Sequence, residues 1–373
     1  MSKIWVSKKP KKVFMYPTML CNLHCKMCYS GGHADRMRAD IEELDFEFYK
    51  KTIDELYNAG IRVFDISGGE PLLRKDILEI CKAIKNYPDS EIHFVSNGTL
   101  ICENNELVNE LVKYIDLFKI SLDSSNPDRH NEIRGYKGAF QKTEKGLEFL
   151  LTIADCDVGI NFVVMETNIQ DVLEMLNYVL RKKIRYISLL RMIDVSQNEM
   201  HENENVSMDN LCNLVVSINE WIEENDRKAT TPLDITLVLP GYALLAVKDV
   251  IKSKNTKNKI KLKIEYDPIR GCPAFGDSIV MTNTGKVSGC TGMVNMEQFY
   301  IGDLKVDSLE EVYKKMNAAR MMLKEREIVL RSKSPCDSCD YWNSCRGGCP
   351  AMAYRHHNSL YAIDPTCCKK TGE

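Results

Sequence analysis

Between Val13 and Glu224 the chain alternates six times between a short apolar run and a segment of helical spacing, and this alternation limits the fold more than any other feature. Val13–Leu20 is the first run. Phe46, Tyr49, Ile53, Leu56 and Tyr57 then recur at helical intervals, and Gly60 ends that helix. The pattern repeats as Ile61–Ser67 with a helix near Lys75–Asn86, Glu91–Ser96 with one near Asn105–Lys113, and Ile115–Leu122 with Ala139–Ile153. Asp157–Met165 with Ile169–Arg181, and Arg185–Met192 with Met208–Glu224, complete the series. Consecutive βα units build a parallel sheet with right-handed crossovers. Six units fall short of the eight that close a barrel. The expected class is therefore α/β, a partial (β/α)6 barrel open on one side to a large substrate. Ligands of such arrays sit at the carboxyl ends of the strands. Cys21, Gly68, Ser96 and Asp123 each follow a strand.

The 373 residues leave room for a second, smaller domain, and the cysteines mark where it lies. There are 15, with Cys21, Cys25 and Cys28 near one end and eight from Cys272 to Cys368 near the other. Fifty basic against 53 acidic residues give a formal charge of −3, without the basic footprint of a nucleic-acid binder. No apolar run approaches membrane-spanning length, and the lysines at positions 8, 9, 11 and 12 precede no signal-type apolar region. A cytoplasmic protein free of membrane and nucleic acid is expected. Disulfides are reduced there, so clustered cysteines read as metal or cluster ligands. Cys81, Cys102, Cys156 and Cys212 stand singly and read as ordinary thiols. Asn198–Asn205 reads as a surface loop and the lysine-rich Lys252–Lys263 as a solvated surface.

Cys21-x3-Cys25-x2-Cys28 offers three thiolates from one loop. A four-iron cluster takes four ligands, so three cysteines leave one iron open to an outside ligand. A zinc ion closed by His24 or His33 is the alternative. Gly68-Gly69-Glu70-Pro71 stands after the second strand. Together these motifs resemble the radical S-adenosylmethionine (SAM) superfamily over roughly the first 200 residues. The resemblance implies a TIM-type partial barrel, a SAM-binding [4Fe–4S] cluster on Cys21, Cys25 and Cys28, and cleavage of SAM to a 5′-deoxyadenosyl radical. It implies that Gly68, Gly69, Glu70 and Pro71 receive the SAM amino group. Ser96 and Asn97 should approach its ribose or methionine part, and Ser121 and Arg134 its ribose or carboxylate. Met27 takes the place of an apolar residue near the adenine. A one-electron reductant such as flavodoxin or ferredoxin is the implied partner.

Cys272, Cys290, Cys336-x2-Cys339-x5-Cys345-x3-Cys349 and Cys367-Cys368 supply too many soft ligands for one ion. This pattern resembles the SPASM domain, a small α+β unit with two auxiliary clusters, for a total of three [4Fe–4S] clusters. The resemblance implies an inner set of Cys272, Cys290 and Cys349. It implies an outer set of Cys336, Cys339, Cys345 and one of the adjacent pair, Cys367 being preferred to Cys368. Some members carry a further cysteine after the first, but Pro273–Gly289 has none. The inner set then either keeps an open iron or is closed by a side chain such as Asp277. Sulfatase-maturing members place an aspartate after the second cysteine, where this chain has Thr291, which counts against that activity.

The expected domains are 1–229 for the barrel, 230–270 as a connecting region and 271–373 for the auxiliary-cluster domain. The resemblance points first to an oxidoreductase that matures a ribosomally made peptide by oxidation, crosslinking or thioether formation. Only twelve residues precede Val13, so a separate peptide-recognition partner is expected. A small-molecule dehydrogenase or epimerase of cofactor or antibiotic biosynthesis is the runner-up. A non-catalytic iron–sulfur carrier or zinc-binding interaction protein is disfavoured, since neither needs the Gly68–Pro71 turn.

Overall fold

The computed structural model describes residues 9–29, 43–193, 204–238, 258–264 and 272–367. The strands are β1 (Lys12–Thr18), β2 (Val63–Gly68), β3 (Glu91–Ser96), β4 (Leu117–Ser121), β5 (Asp157–Val164), β6 (Tyr186–Arg191), β7 (Leu233–Val238) and β8 (Ile260–Ile264), followed by β9 (Ser278–Met281), β10 (Lys286–Ser288) and β11 (Tyr300–Asp303). Among the described residues they form one eleven-stranded sheet in the order β11-β10-β9-β1-β2-β3-β4-β5-β6-β7-β8. From β9 to β8 every neighbouring pair is parallel. β9, β10 and β11 form an antiparallel meander. The helices are α1 (Phe46–Asn58), α2 (Ile77–Lys85), α3 (Asn105–Leu111), α4 (Pro127–Arg134), α5 (Ala139–Ile153), α6 (Val172–Arg181) and α7 (Met208–Asn225), then α8 (Leu309–Arg331), α9 (Trp342–Cys345) and α10 (Pro350–His357).

The α/β class follows from strands whose alternate residues are fully apolar. Val13 and Met15, Phe64 and Ile66, Ile92 and Phe94, Phe118 and Ile120, Ile160 and Phe162, and Ile187 and Leu189 are all buried in one core. Tyr49, Ile53 and Leu56 of α1 and Met175, Leu176 and Val179 of α6 pack into the same core. Each such side chain contributes about 1.5–3 kcal/mol by leaving water. The opposite alternation carries polar residues. Ser121, Asn161 and Ser188 sit level across β4, β5 and β6, on one face of the sheet.

Three features depart from the sequence reading. The stretch over 230–270, expected to connect two domains, adds β7 and β8 to the parallel sheet. Leu233, Ile235 and Leu237 are buried there, and Ile260 is buried beside exposed Lys261 and Lys263, so the lysine-rich surface is partly the outer side of a strand. The cysteine-rich segment does not stand apart, because β9 lies parallel beside β1. Helix α4 was not expected. It is capped by Asn126, whose side chain accepts from the backbone N–H groups of Asp128 and Arg129. Pro127 opens the helix, and Gly135 ends it at φ 62°. His33, Cys368, residues 198–203 and the first part of the lysine-rich stretch lie outside the described residues.

Candidate active site

The chain leaves β1 at Thr18 and enters the first cysteine loop between two backbone walls. On one side, Gly69 N donates to Thr18 O (2.9 Å) and Glu70 N to Leu20 O (2.7 Å). A Cβ on Gly69 would lie 2.0 Å from Leu20 O, so only glycine permits this approach. On the other side, His24 N donates to Arg134 O (3.2 Å) and Lys26 N to Ile133 O (2.9 Å). Cys21 and Cys25 are buried and pack with Leu23, Met27 and Cys28. Met27 also reaches the pocket of Ile133, Met165 and Met192.

Glu70 is fully buried. Its carboxylate accepts from Leu72 N (3.2 Å), Ser96 Oγ (2.9 Å) and Asn97 N (2.8 Å). Pro71 starts the short 3-10 turn Pro71–Leu73 that supplies the first donor. Burial pushes the Glu70 carboxyl up to about 7, against the pull of those three donors and of Arg134. Asn97 Nδ2 donates to Asn22 Oδ1 (2.9 Å), and Asn22 Nδ2 donates to Thr99 Oγ1 (2.9 Å). Asn22, inside the cysteine loop, thus ties it to the end of β3.

Arg134 points at the loop from α4. Its Nη1 donates to Cys25 Sγ (3.6 Å), and its Nη2 pairs with Asp123 Oδ2 at 2.6 Å. Burial pushes the Cys25 thiol up to about 12. Arg134 opposes that rise, while Cys28 and Cys21 add to it, so the three sulfurs share one electrostatic neighbourhood. Asp123 is held by Val163 N (2.9 Å) at its side chain and by Asn168 Nδ2 (2.9 Å) at its carbonyl. Arg134 Nε is buried without a hydrogen-bond partner, a donor left for a ligand. His24 is exposed. Ser121 lies at the tip of β4.

The C-terminal thiols fall into two neighbourhoods. Burial pushes Cys272 up to about 12 and Cys290 up to about 11. Cys290 and Cys349 raise Cys272 further, and Cys349 raises Cys290. Burial likewise brings Cys336 to about 11, with Cys367 and Cys339 adding, and Cys345 to about 12, with Asp364, Cys367 and Cys336 adding. Among the described residues no three His, Cys, Asp or Glu side chains are disposed to hold a single metal ion. Asp277 is exposed at the entry to β9.

Sequence reasoning missed Asn22, Asn168 and the ion pair that Asp123 makes. The capping residues around α4 were the legible signal for that pair, since they bring Arg134 back to the loop.

Thiols thus gather at the end of β1, beside a buried carboxylate and a buried arginine. Residues 15–179 match the family model described as Radical SAM superfamily. The superfamily implies SAM and a SAM-binding [4Fe–4S] cluster. The chain is 24% identical over 371 residues, 99% of each chain, to the AdoMet-dependent heme synthase of Methanosarcina barkeri (strain Fusaro / DSM 804). It is 26% identical to the Fe-coproporphyrin III synthase of the same organism, covering 96% of this chain and 88% of that one. Its fold is similar to that of Streptococcus suis SuiB bound to precursor peptide SuiA, with a TM-score of 0.72 and 19% identity over 96% of this chain and 76% of that one. No helix among the described residues is long and apolar enough to cross a membrane.

Proposed function

We propose that this chain is a SAM-cleaving redox enzyme that acts on an iron porphyrin or a related tetrapyrrole, with two auxiliary clusters in a SPASM-type C-terminal region. The alignment with the heme synthase over 99% of both chains carries this reading, because it includes the C-terminal thiols as well as the barrel. Expected peptide maturation stands second. It rests on the fold shared with SuiB, and a fold alone does not fix a substrate.

Cys21 and Cys25 are buried with Cys28 half-buried against them, and the three suit three corners of a [4Fe–4S] cluster. When bound, that cluster supplies the electron that splits SAM into methionine and a 5′-deoxyadenosyl radical, which takes a hydrogen atom from the substrate. Glu70, pre-oriented by Leu72, Ser96 and Asn97, holds the SAM ammonium. Arg134 favours thiolate at Cys25 and offers Nε–H to the SAM carboxylate. Ser121 faces the ribose from β4. Cys272, Cys290 and Cys349 hold the inner auxiliary cluster, and Cys336, Cys339, Cys345 and Cys367 the outer one.

The test supplies anaerobically reconstituted, reduced enzyme with SAM and either Fe-coproporphyrin III or a cysteine-containing peptide. The porphyrin should change mass in step with 5′-deoxyadenosine release. Modification of the peptide with an untouched porphyrin would restore the maturase reading.

A further inference from the structure

Helix α8 carries a cation into the interior. Arg326 is 2% exposed. Its guanidinium donates to four backbone carbonyls: Nε to Leu360 O (2.6 Å), Nη1 to Arg346 O (3.1 Å), and Nη2 to Gly347 O (2.7 Å) and Ala362 O (3.1 Å). None of these acceptors is a carboxylate. Buried charges are ordinarily compensated, so its counter-charge must come from elsewhere.

The carbonyls show where. Arg346 and Gly347 belong to the turn between Cys345 and Cys349, in which Arg346, Gly347 and Gly348 all have positive φ, at 50°, 81° and 73°. A Cβ on Gly348 would lie 2.2 Å from Asp364 Cβ, so the turn is seated against the segment leading to Cys367. Leu360 and Ala362 belong to that segment. Asp364 N donates to Gly347 O (3.1 Å), and Cys349 N donates to Asp364 Oδ2 (2.7 Å). One guanidinium therefore fastens the turn that delivers a thiol to each set to the strand of chain that completes the outer set. Its charge acts on Cys272 and Cys349 of the inner set, on the buried carboxylate of Asp364, and on Cys345 and Cys336 of the outer set.

We propose that Arg326 is a positioning residue shared by both auxiliary cysteine sets, a fixed cation between them that raises the reduction potentials of the two centres together. The inference rests on the assignment of both sets as cluster ligands. Cluster potentials respond to nearby charge and hydrogen bonding, and a guanidinium keeps its charge throughout the usable pH range. Its position makes the two potentials covary.

The experiment uses the full chain with Cys21, Cys25 and Cys28 changed to Ala, so that only auxiliary centres give a signal. Iron and sulfide are counted, and midpoint potentials are read by electron paramagnetic resonance during redox titration. Absence of auxiliary iron in that background defeats the cluster assignment, and the inference with it. With iron present, Arg326→Met should keep the metal and lower both midpoints. A shift in one centre only, or in neither, overturns the proposal. Should Arg326→Met load no auxiliary iron, Arg326→Lys decides. A loaded Lys variant with both midpoints near wild type upholds the shared cation. Failure to load, or displaced midpoints, would show that the carbonyl bonds alone matter, and the proposal falls.

Discussion

The two cysteine regions reach a similar end by different routes. The first takes its thiols from eight consecutive residues, Cys21 to Cys28, and steadies them with groups from the ends of β2 and β3 and from α4. The second gathers thiols from Cys272 to Cys367 and steadies them with two buried charges, Arg326 and Asp364. In the first, spacing along the chain does most of the positioning and the barrel adds ligand groups such as Glu70. In the second, tertiary packing must finish before any complete set of sulfurs exists. A compact loop can be read as a site by itself, whereas a dispersed set is a site only in the folded chain.

Replacing Cys21, Cys25 and Cys28 together with Ala should have the largest effect. SAM cleavage should vanish, while about two-thirds of the iron remains, since two of the three proposed clusters would keep their ligands. Loss of all iron would show that the regions do not load independently. Glu70→Ala comes next. Losing a charged acceptor costs about 1.5–3 kcal/mol, so SAM should bind roughly ten- to hundredfold more weakly at unchanged iron content, as measured by equilibrium binding.

The glycines sharpen the comparison. Gly69→Ala and Gly348→Ala each force a Cβ into occupied space and should each destabilise by about 1–3 kcal/mol. The first should depress SAM cleavage with auxiliary iron intact. The second should deplete auxiliary iron and leave SAM binding intact. Identical defects from both would merge the two regions into one.

The pH dependence is smaller. The Glu70 carboxyl is raised from 4.5 to about 7 in the folded chain. The protonated form is therefore favoured by folding, and the stability it contributes is full below pH 4.5 and lost as pH rises through 7. SAM binding runs the other way, because the ammonium needs the ionised form. Affinity should fall up to about tenfold per pH unit below 7, with proton release on binding seen by calorimetry in buffers of different ionisation enthalpy. Least of all, Lys26→Ala removes an exposed pair with Glu132 at 2.6 Å. It should change stability by under about 1 kcal/mol, showing that the loop is held by its backbone bonds.

Apolar alternation made the barrel legible, because strands such as Glu91–Ser96 and helices such as Ala139–Ile153 carry their period within themselves. β8 was harder to see, since a strand at the end of a sheet tolerates lysines on its free side and blurs its own pattern. Cys21, Cys25, Cys28 and Glu70 were legible as motifs. Asn22 was not, because nothing local distinguishes a loop asparagine that caps its neighbour from one that bridges to β3. Arg326 was invisible for the opposite reason. Among the charged residues of α8 it looks like surface, and only the packed turn at Gly347 shows that it faces inward.

The placement of β9 beside β1 has a consequence for biosynthesis. β1 is made long before β9, and one of its two edges finds its partner only when Ser278–Met281 has been made. Until then a run containing Val13, Met15 and Tyr16 presents unpaired N–H and C=O groups, which is the usual template for association between nascent chains. Synthesis in the cell should therefore favour a holdase over that edge during elongation. A fragment ending before β9 should appear in the insoluble fraction even with its own thiols and βα units complete.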